Sequence, residues 1–356
     1  MMENHRMLND LVHEIDKTRL TTMAVVSMCD IHEPIVHLTD VVSYNLYFGW
    51  YGGDTSMNGP WLDQFHSEYP NQPIGMSEYG AEALNWHSSK PFQGDYTEEY
   101  QAHYHEELIR QLYSRPYIWA THVWNMFDFA ADARSEGGEN GQNHKGLVTI
   151  DRKYKKDAFY AYKAWLSQDP FVHLCSKRYI DRVEPVTRVT VYSNQPEVEL
   201  FVNGRSLGKQ TASDHFFYFD VPNEGESILT AVAGDCRDES RIRKVDKMNE
   251  DYILKEKGAV LNWFDVKEVV GHCSINTPLK NVMSNPEGKK LIMDTLSALV
   301  DKKDENPFMK NDKMIEMMGS FSFLRLTKMI HHHGKPMSRE ELLELNDKLN
   351  QIALAQ

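Results

Sequence analysis

The tetrapeptide Ser77-Glu78-Tyr79-Gly80 follows a short apolar run, Gln72-Pro73-Ile74-Gly75-Met76. Such a run reads as a buried strand, which puts the Glu78 carboxylate at its C-terminal end. In a barrel of parallel strands, that end is where reacting groups gather. A carboxylate there can attack an electrophilic carbon or move a proton. Displacement at an anomeric carbon with retention uses two carboxylates about 5–5.5 Å apart, one as nucleophile and one as acid/base. Glu78 is one such carboxylate, and a second is hard to find in this chain.

Two neighbouring strand ends carry matching groups. Asn45 and Tyr47 close the run Asp40–Asn45, and Trp124 and Asn125 close the run Tyr117–Trp124. Polar and aromatic side chains converging at successive parallel strand ends make a site rather than a core. Aromatic residues are dense through Tyr44–Tyr51 and Trp119–Trp124. Some offer a flat apolar face to a pyranose, while most are expected to fill the core.

The elements that position these groups alternate in type. Strand patterns at 21–26, 40–45, 73–78 and 117–124 are separated or followed by helix patterns at 60–68, 97–114 and 156–167. An opening helix at 3–17 places Leu8, Leu11, Val12 and Ile15 on one face. Repeated β-α units imply a parallel sheet with crossover helices. The run Thr21–Val26 is continuous in apolar character, as a strand buried on both faces should be. Four strands are half of an eight-stranded barrel, which takes about 250 residues. A half barrel exposes two sheet edges. Hence the chain is expected to be a C-terminal portion of a larger enzyme, or to meet a partner. That partner is a complementing N-terminal chain, or a second copy joined by self-association through the open edges.

Beyond residue 167 the period shifts to two. Val189–Asn194, Val198–Val202, Phe216–Phe219 and Ser227–Ala233 read as strands, with a tight turn at Asn203-Gly204. Short strands at this spacing predict a β-sandwich over 168–255. Residues 256–356 read as a helical domain. Asn285-Pro286-Glu287-Gly288 opens a helix to Leu299, Met314–Met329 forms a second, and Ser338-Arg339-Glu340-Glu341 is a capped start for a third. Asp301–Asn311 is a charged connection. Met314, Met317 and Met318, with Leu324 and Leu326, form the expected core of this tail. The fold class is thus multidomain, α/β then β then α.

Composition narrows the partners. A formal net charge of −13 over 356 residues argues against nucleic acid and anionic membranes. No apolar run approaches the length of a membrane span. Cys29, Cys175, Cys236 and Cys273 are scattered without C-x-x-C spacing, as expected of reduced thiols in a cytoplasmic protein. The N-terminus reads as no signal peptide. Adjacent histidines on a helix point in different directions, so His331-His332-His333 reads as a solvated helix end. No metal and no cofactor are expected.

The ordered set Asn45-x-Tyr47-x-Gly49-Trp50-Tyr51, Ser77-Glu78-Tyr79-Gly80, Val123-Trp124-Asn125-x-x-Asp128-Phe129 and Asn143-x-Lys145-Gly146 resembles glycoside hydrolase family 2. That family holds β-galactosidases, β-glucuronidases and β-mannosidases. The resemblance covers residues 1–167 and implies strands five to eight of a (β/α)8 barrel. It implies Glu78 as nucleophile, Tyr47 orienting it, and Asn45 and Trp124 in the sugar pocket. The sandwich, through Val198–Gly204, resembles the Ig-like domain that follows the barrel in many β-galactosidases of the family.

Asn143 and Lys145 have two readings. In β-glucuronidases an Asn-x-Lys pair meets the uronate carboxylate, a charge-assisted contact. β-Galactosidases with the same following domain carry a similar Asn-Lys-Gly before a strand. The expected carbohydrate is therefore a β-galactoside, with a β-glucuronide as the alternative. A non-catalytic carbohydrate-binding or assembly protein is the rival from another class. The family's acid/base, the Glu of an Asn-Glu pair on the fourth strand, has no counterpart here. Glu3 sits in the opening helix in a different local sequence, and the family gives Glu82 and Asp128 no such role. Without leaving-group protonation a term of roughly 10²–10⁴ in rate is lost, so poor turnover by the chain alone is expected.

Overall fold

The structure, a computed structural model, describes residues 2–131, 139, 141–253, 267–299, 322–324 and 337–354. The chain divides into two compact units, one of residues 1–25, 31–50 and 54–258, the other of residues 26–30, 51–53 and 259–356.

The first unit opens with an α/β layer. Helix α1 is Met2–Ile15, and a four-stranded sheet follows in the order β1-β2-β3-β4. Its strands are β1 (Ala24–Val26), β2 (Val42–Asn45), β3 (Ile74–Tyr79) and β4 (Ile118–Val123). β2, β3 and β4 run parallel. Between them lie α2 (Asn58–Glu68) and α3 (Glu98–Tyr113), the latter capped by Thr97 Oγ1, which accepts the Tyr100 N–H at 3.1 Å. The central strands bury both faces, with Val42, Tyr44, Ile74 and Met76 fully enclosed.

One expectation is corrected here. The strand read over 21–26 spans only Ala24–Val26, and it buries Val25 while exposing both neighbours. β4 has no buried residue, and its Trp119 is exposed. These strands end the sheet order, where other elements flank a strand on one side only. Helix α1 has the predicted amphipathic pattern, yet no residue in it is buried. Leu8, Leu11, Val12 and Ile15 are exposed, and Leu8, Val12 and Ile15 line a groove of about 640 Å³.

Two-residue strands β5 (Phe129-Ala130) and β6 (Gln142-Asn143) precede helix α4 (Asp157–Leu166). Strands β7 (Val172–Leu174), β8 (Asp181-Arg182), β9 (Val186–Ser193), β10 (Glu197–Val202), β11 (Arg205–Thr211), β12 (Phe216–Pro222), β13 (Glu226–Ala233) and β14 (Cys236–Lys244) follow. They form two sheets, β11-β10-β13-β14-β8 and β12-β9-β7. Val191, Val198, Leu200, Phe217, Phe219, Leu229 and Ala231 share one core. Asn203 and Gly204 both have positive φ, 50° and 80°, which suits the two-residue turn joining β10 to β11. Sequence reading missed β11 and β14. β11 is exposed throughout and β14 is mostly charged, so neither shows apolar alternation.

A polar network joins the α/β layer to these sheets. Glu106 on α3 accepts hydroxyl bonds from Tyr192 and, at 2.6 Å, from Tyr218. Arg110 donates to Asp214 at 2.8 Å and to the Tyr218 oxygen at 2.6 Å. Beside them a cavity of about 680 Å³ is lined by Glu99, Glu106, Arg110, Tyr179 and Arg182. Burial first, and then the nearby Glu98 and Asp157, push the Glu99 carboxyl up to about 8. A carboxyl raised in the folded state binds more protons there than in the unfolded chain. Its stabilising term is therefore complete below the unfolded value of 4.5 and is lost as pH climbs to about 8. The melting temperature should fall as pH rises through that window. Glu99→Gln should flatten the fall, and an unchanged slope would show that other groups set it.

The second unit contains α5 (Leu279–Met283), α6 (Pro286–Leu299) and α7 (Arg339–Leu349) among the described residues. The predicted cap is present at α7. Ser338 Oγ accepts the Glu341 N–H at 3.2 Å, and the Glu341 carboxylate accepts the Ser338 N–H at 2.7 Å. Ile275, Leu279, Val282, Leu324, Leu342 and Leu345 are buried. The histidine triplet 331–333, Met314, Met317, Met318, Leu326, the helix read over 314–329 apart from 322–324, and the connection at 301–311 lie outside the described residues. No described helix is long and apolar enough to cross a membrane.

Candidate active site

The sheet register sets the ends of β2 and β3 side by side, with Asn45 opposite Glu78. The Leu46 N–H donates to the Glu78 carbonyl at 2.9 Å, which carries the chain one step beyond β2. The next side chain, Tyr47, reaches back, and its hydroxyl donates to Glu78 Oε2 at 2.8 Å. A phenol donating to a carboxylate oxygen restricts the rotation of that carboxylate. Asn45 Oδ1 accepts the Ser77 hydroxyl at 2.7 Å, so Asn45 and Ser77 are tied as a second pair. Asn45, Tyr47 and Glu78 are all half-buried, at an open end of the sheet rather than in its core.

Trp124 follows β4, and its N–H donates to the Tyr79 carbonyl at 2.8 Å. Its ring meets Phe129 edge-on at 5.8 Å, and the peptide bond from Trp124 to Asn125 is cis. Gly80 explains how these ends close up. A Cβ there would lie 2.1 Å from the Trp124 carbonyl oxygen, so only glycine permits the approach. Gly146 is the same case, with a Cβ only 2.0 Å from the Asp128 nitrogen.

The segment around Asn143 and Lys145 lies against these groups. Asn143 Oδ1 accepts the Lys145 N–H at 2.9 Å. Lys145 is 1% exposed, and its Nζ lies 3.1 Å from Oε1 of the fully buried Glu82. The ammonium also sits 5.7 Å from the Tyr47 ring centroid and 5.6 Å from that of Trp50. Lys145 thus touches the tyrosine that binds Glu78. A second buried ion pair lies close by. Lys156 Nζ donates to Asp128 Oδ1 at 2.9 Å, to the Ala83 carbonyl at 2.7 Å and to the His144 carbonyl at 3.0 Å. Burial pulls Lys156 below the usual lysine range, and Asp128 opposes that pull.

Tyr47 and Glu78 are joined directly, and Lys145 packs on the same tyrosine. Trp124 and Asn45 stand at adjoining strand ends. Sequence reading left Glu82, Asp128 and Lys156 without a role, although two of the three stood within or next to the quoted motifs. The usable signal was their type: a charged residue beside a buried strand end needs an opposite charge when enclosed. Both carboxylates, Glu82 and Asp128, are held by lysines. Glu3 lies on exposed α1, 3.2 Å from Arg6.

Residues 1–168 match the family model described as glycosyl hydrolases family 2, TIM barrel domain. Residues 184–235 match a domain of unknown function (DUF4982). A β-glucuronidase of Bacteroides fragilis is 41% identical over 215 residues, which is 58% of this chain and 30% of that relative. The solved structure of an FMN-binding β-glucuronidase from Facaelibacterium prausnitzii L2-6 is 50% identical with a TM-score of 0.69. The match covers 71% of this chain and 40% of that one. A putative β-galactosidase from Bacteroides fragilis is 33% identical with a TM-score of 0.66, over 70% of this chain and 39% of that structure. The chain spans about a third of the length of the curated β-glucuronidases it matches first, 30% of one and 33% of another.

Proposed function

We propose, for a chain whose residues 1–168 belong to glycosyl hydrolase family 2, that Glu78 is the nucleophile of a retaining β-glucuronidase site. The carrying observation is the Tyr47–Glu78 bond at adjoining strand ends, with the Lys145 ammonium against the same tyrosine ring. A Glu78 oxygen attacks the anomeric carbon as the glycosidic C–O bond breaks, and the departing oxygen takes a proton from an acid. Water then cleaves the glycosyl ester and the acid regains its proton. Tyr47 orients the carboxylate, and Asn45 and Trp124 line the sugar.

Glu82 and Asp128 are engaged with Lys145 and Lys156. The acid/base is therefore proposed to come from outside the described residues. The exposed end strands β1 and β4 are where a complementing chain, or a second copy, would add strands. The two-sheet region is proposed as an Ig-like sandwich, and the second unit as a helical domain. FMN is named for one relative and enters no step here.

The sequence alone leaned toward a galactoside. Two considerations favour the glucuronide: the burial of a lysine beside the nucleophile's tyrosine, and the names of the B. fragilis and F. prausnitzii relatives. A uronate meets an ammonium as an ion pair, whereas a neutral sugar offers it only a hydroxyl oxygen. The test compares phenyl β-D-glucuronide with phenyl β-D-galactoside by calorimetry, using Lys145→Gln in a Glu82→Gln background so that both charges go together. Glucuronide affinity should fall by about 10- to 100-fold with galactoside affinity nearly unchanged, the scale of one hydrogen bond to a charged group. Equal losses for both sugars would return the reading to the galactoside.

A further inference from the structure

We propose that Lys156, with Asp128 as its counter-ion, is a positioning residue that fixes the turn Asn143-His144-Lys145 and so sets the preference for a uronate over a neutral sugar. The proposal rests on the glucuronide reading above.

The peptide group of His144 joins the two residues assigned to the uronate, and buried charged groups hold it from both sides. Its N–H donates to Glu82 Oε2 at 3.1 Å. Its carbonyl accepts Lys156 Nζ at 3.0 Å and the Ala83 N–H at 3.0 Å. An ammonium has three protons to donate. Lys156 directs one each to His144, Ala83 and Asp128, and none of the residue is exposed. Its own backbone is anchored at the start of α4, where its N–H donates to the Leu147 carbonyl at 2.9 Å. The lysine therefore ties the loop after β3 to the turn carrying Lys145.

Stability alone does not account for such a residue. A buried ion pair is often replaced by apolar side chains at no cost. An apolar pair would fill the space, but it would leave the His144 and Ala83 carbonyls without this donor. What the lysine adds is placement. A charge-assisted bond to a sugar carboxylate requires its donor within about 0.5 Å of the right position. A sugar hydroxyl gains less from the Lys145 ammonium than a carboxylate does, so loosening the turn penalises the uronate more.

The test uses the full chain carrying Glu78→Gln, which prevents turnover, with and without the paired change Lys156→Met/Asp128→Asn. Calorimetry with phenyl β-D-glucuronide should show binding weakened by about tenfold or more. Phenyl β-D-galactoside should change by less than about twofold. A parallel loss for both sugars marks a merely structural role and overturns the proposal, as does no change for either. If the paired variant does not fold, Lys156→Gln/Asp128→Asn keeps two amide N–H donors for the carbonyls and carries the same test in the same direction. A glucuronide preference that depends on Lys145 yet survives loss of Lys156 overturns this proposal alone. The absence of any Lys145-dependent preference overturns the glucuronide reading, and this proposal with it.

Discussion

Glu78→Gln is expected to abolish covalent trapping by 2-deoxy-2-fluoro-β-D-glucuronyl fluoride, while the parent chain gains one fluoroglucuronyl group on the peptide containing Glu78. Fluoride departs without being protonated, so this probe asks only for a nucleophile and a sugar pocket. It thus tests Glu78 separately from the acid/base. Removing the attacking group of a hydrolase typically costs on the order of 10⁴- to 10⁶-fold in rate, which intact-mass measurement would read as no adduct. Tyr47→Phe should still be labelled, but about 10- to 100-fold more slowly, because it removes one hydrogen bond of 2.8 Å to a charged oxygen. An adduct on a different carboxylate, or equal labelling of parent and Glu78→Gln, would remove Glu78 from its role.

The second large effect concerns stability. Glu82 and Lys145 are enclosed, at 0% and 1% exposure, and face each other at 3.1 Å. Neutralising one removes the opposite charge that the other faces at 3.1 Å inside the protein. Glu82→Gln and Lys145→Gln, taken singly, should each destabilise the chain by about 3–5 kcal/mol. Together they should lie within about 1–2 kcal/mol of the parent, because neither charge remains to be solvated. Urea unfolding of the four proteins measures the coupling. Strictly additive losses would mean that the two side chains act independently despite their contact.

Part of this site could be read from residue order alone. An apolar run ending in Ser-Glu-Tyr-Gly sets a carboxylate at a strand end. Parallel strands then bring Asn45 and Glu78 together, 33 positions apart, and the Tyr47 hydroxyl donates to Glu78. The buried pairs could not be read in this way. Lys145 lies 63 positions from Glu82, and Lys156 lies 28 from Asp128. Nothing in the local pattern says which distant charge will meet a given lysine. The same limit hid β11 and β14, whose pairing comes from neighbouring strands rather than from their own alternation.

Apolar spacing, turn residues and caps act within a few residues, so the succession of elements, the Asn203-Gly204 turn and the Ser338 cap follow from the chain's order. Hydrogen bonds and ion pairs in a closed interior depend on where loops from different strands come to rest. That is why Lys145 could be named early as a candidate for a sugar carboxylate. Its enclosure against Glu82 and Tyr47, and the hold of Lys156 on the adjoining peptide, came only with the packed molecule. Charges are forced into pairs once water is excluded, and it is packing that excludes it.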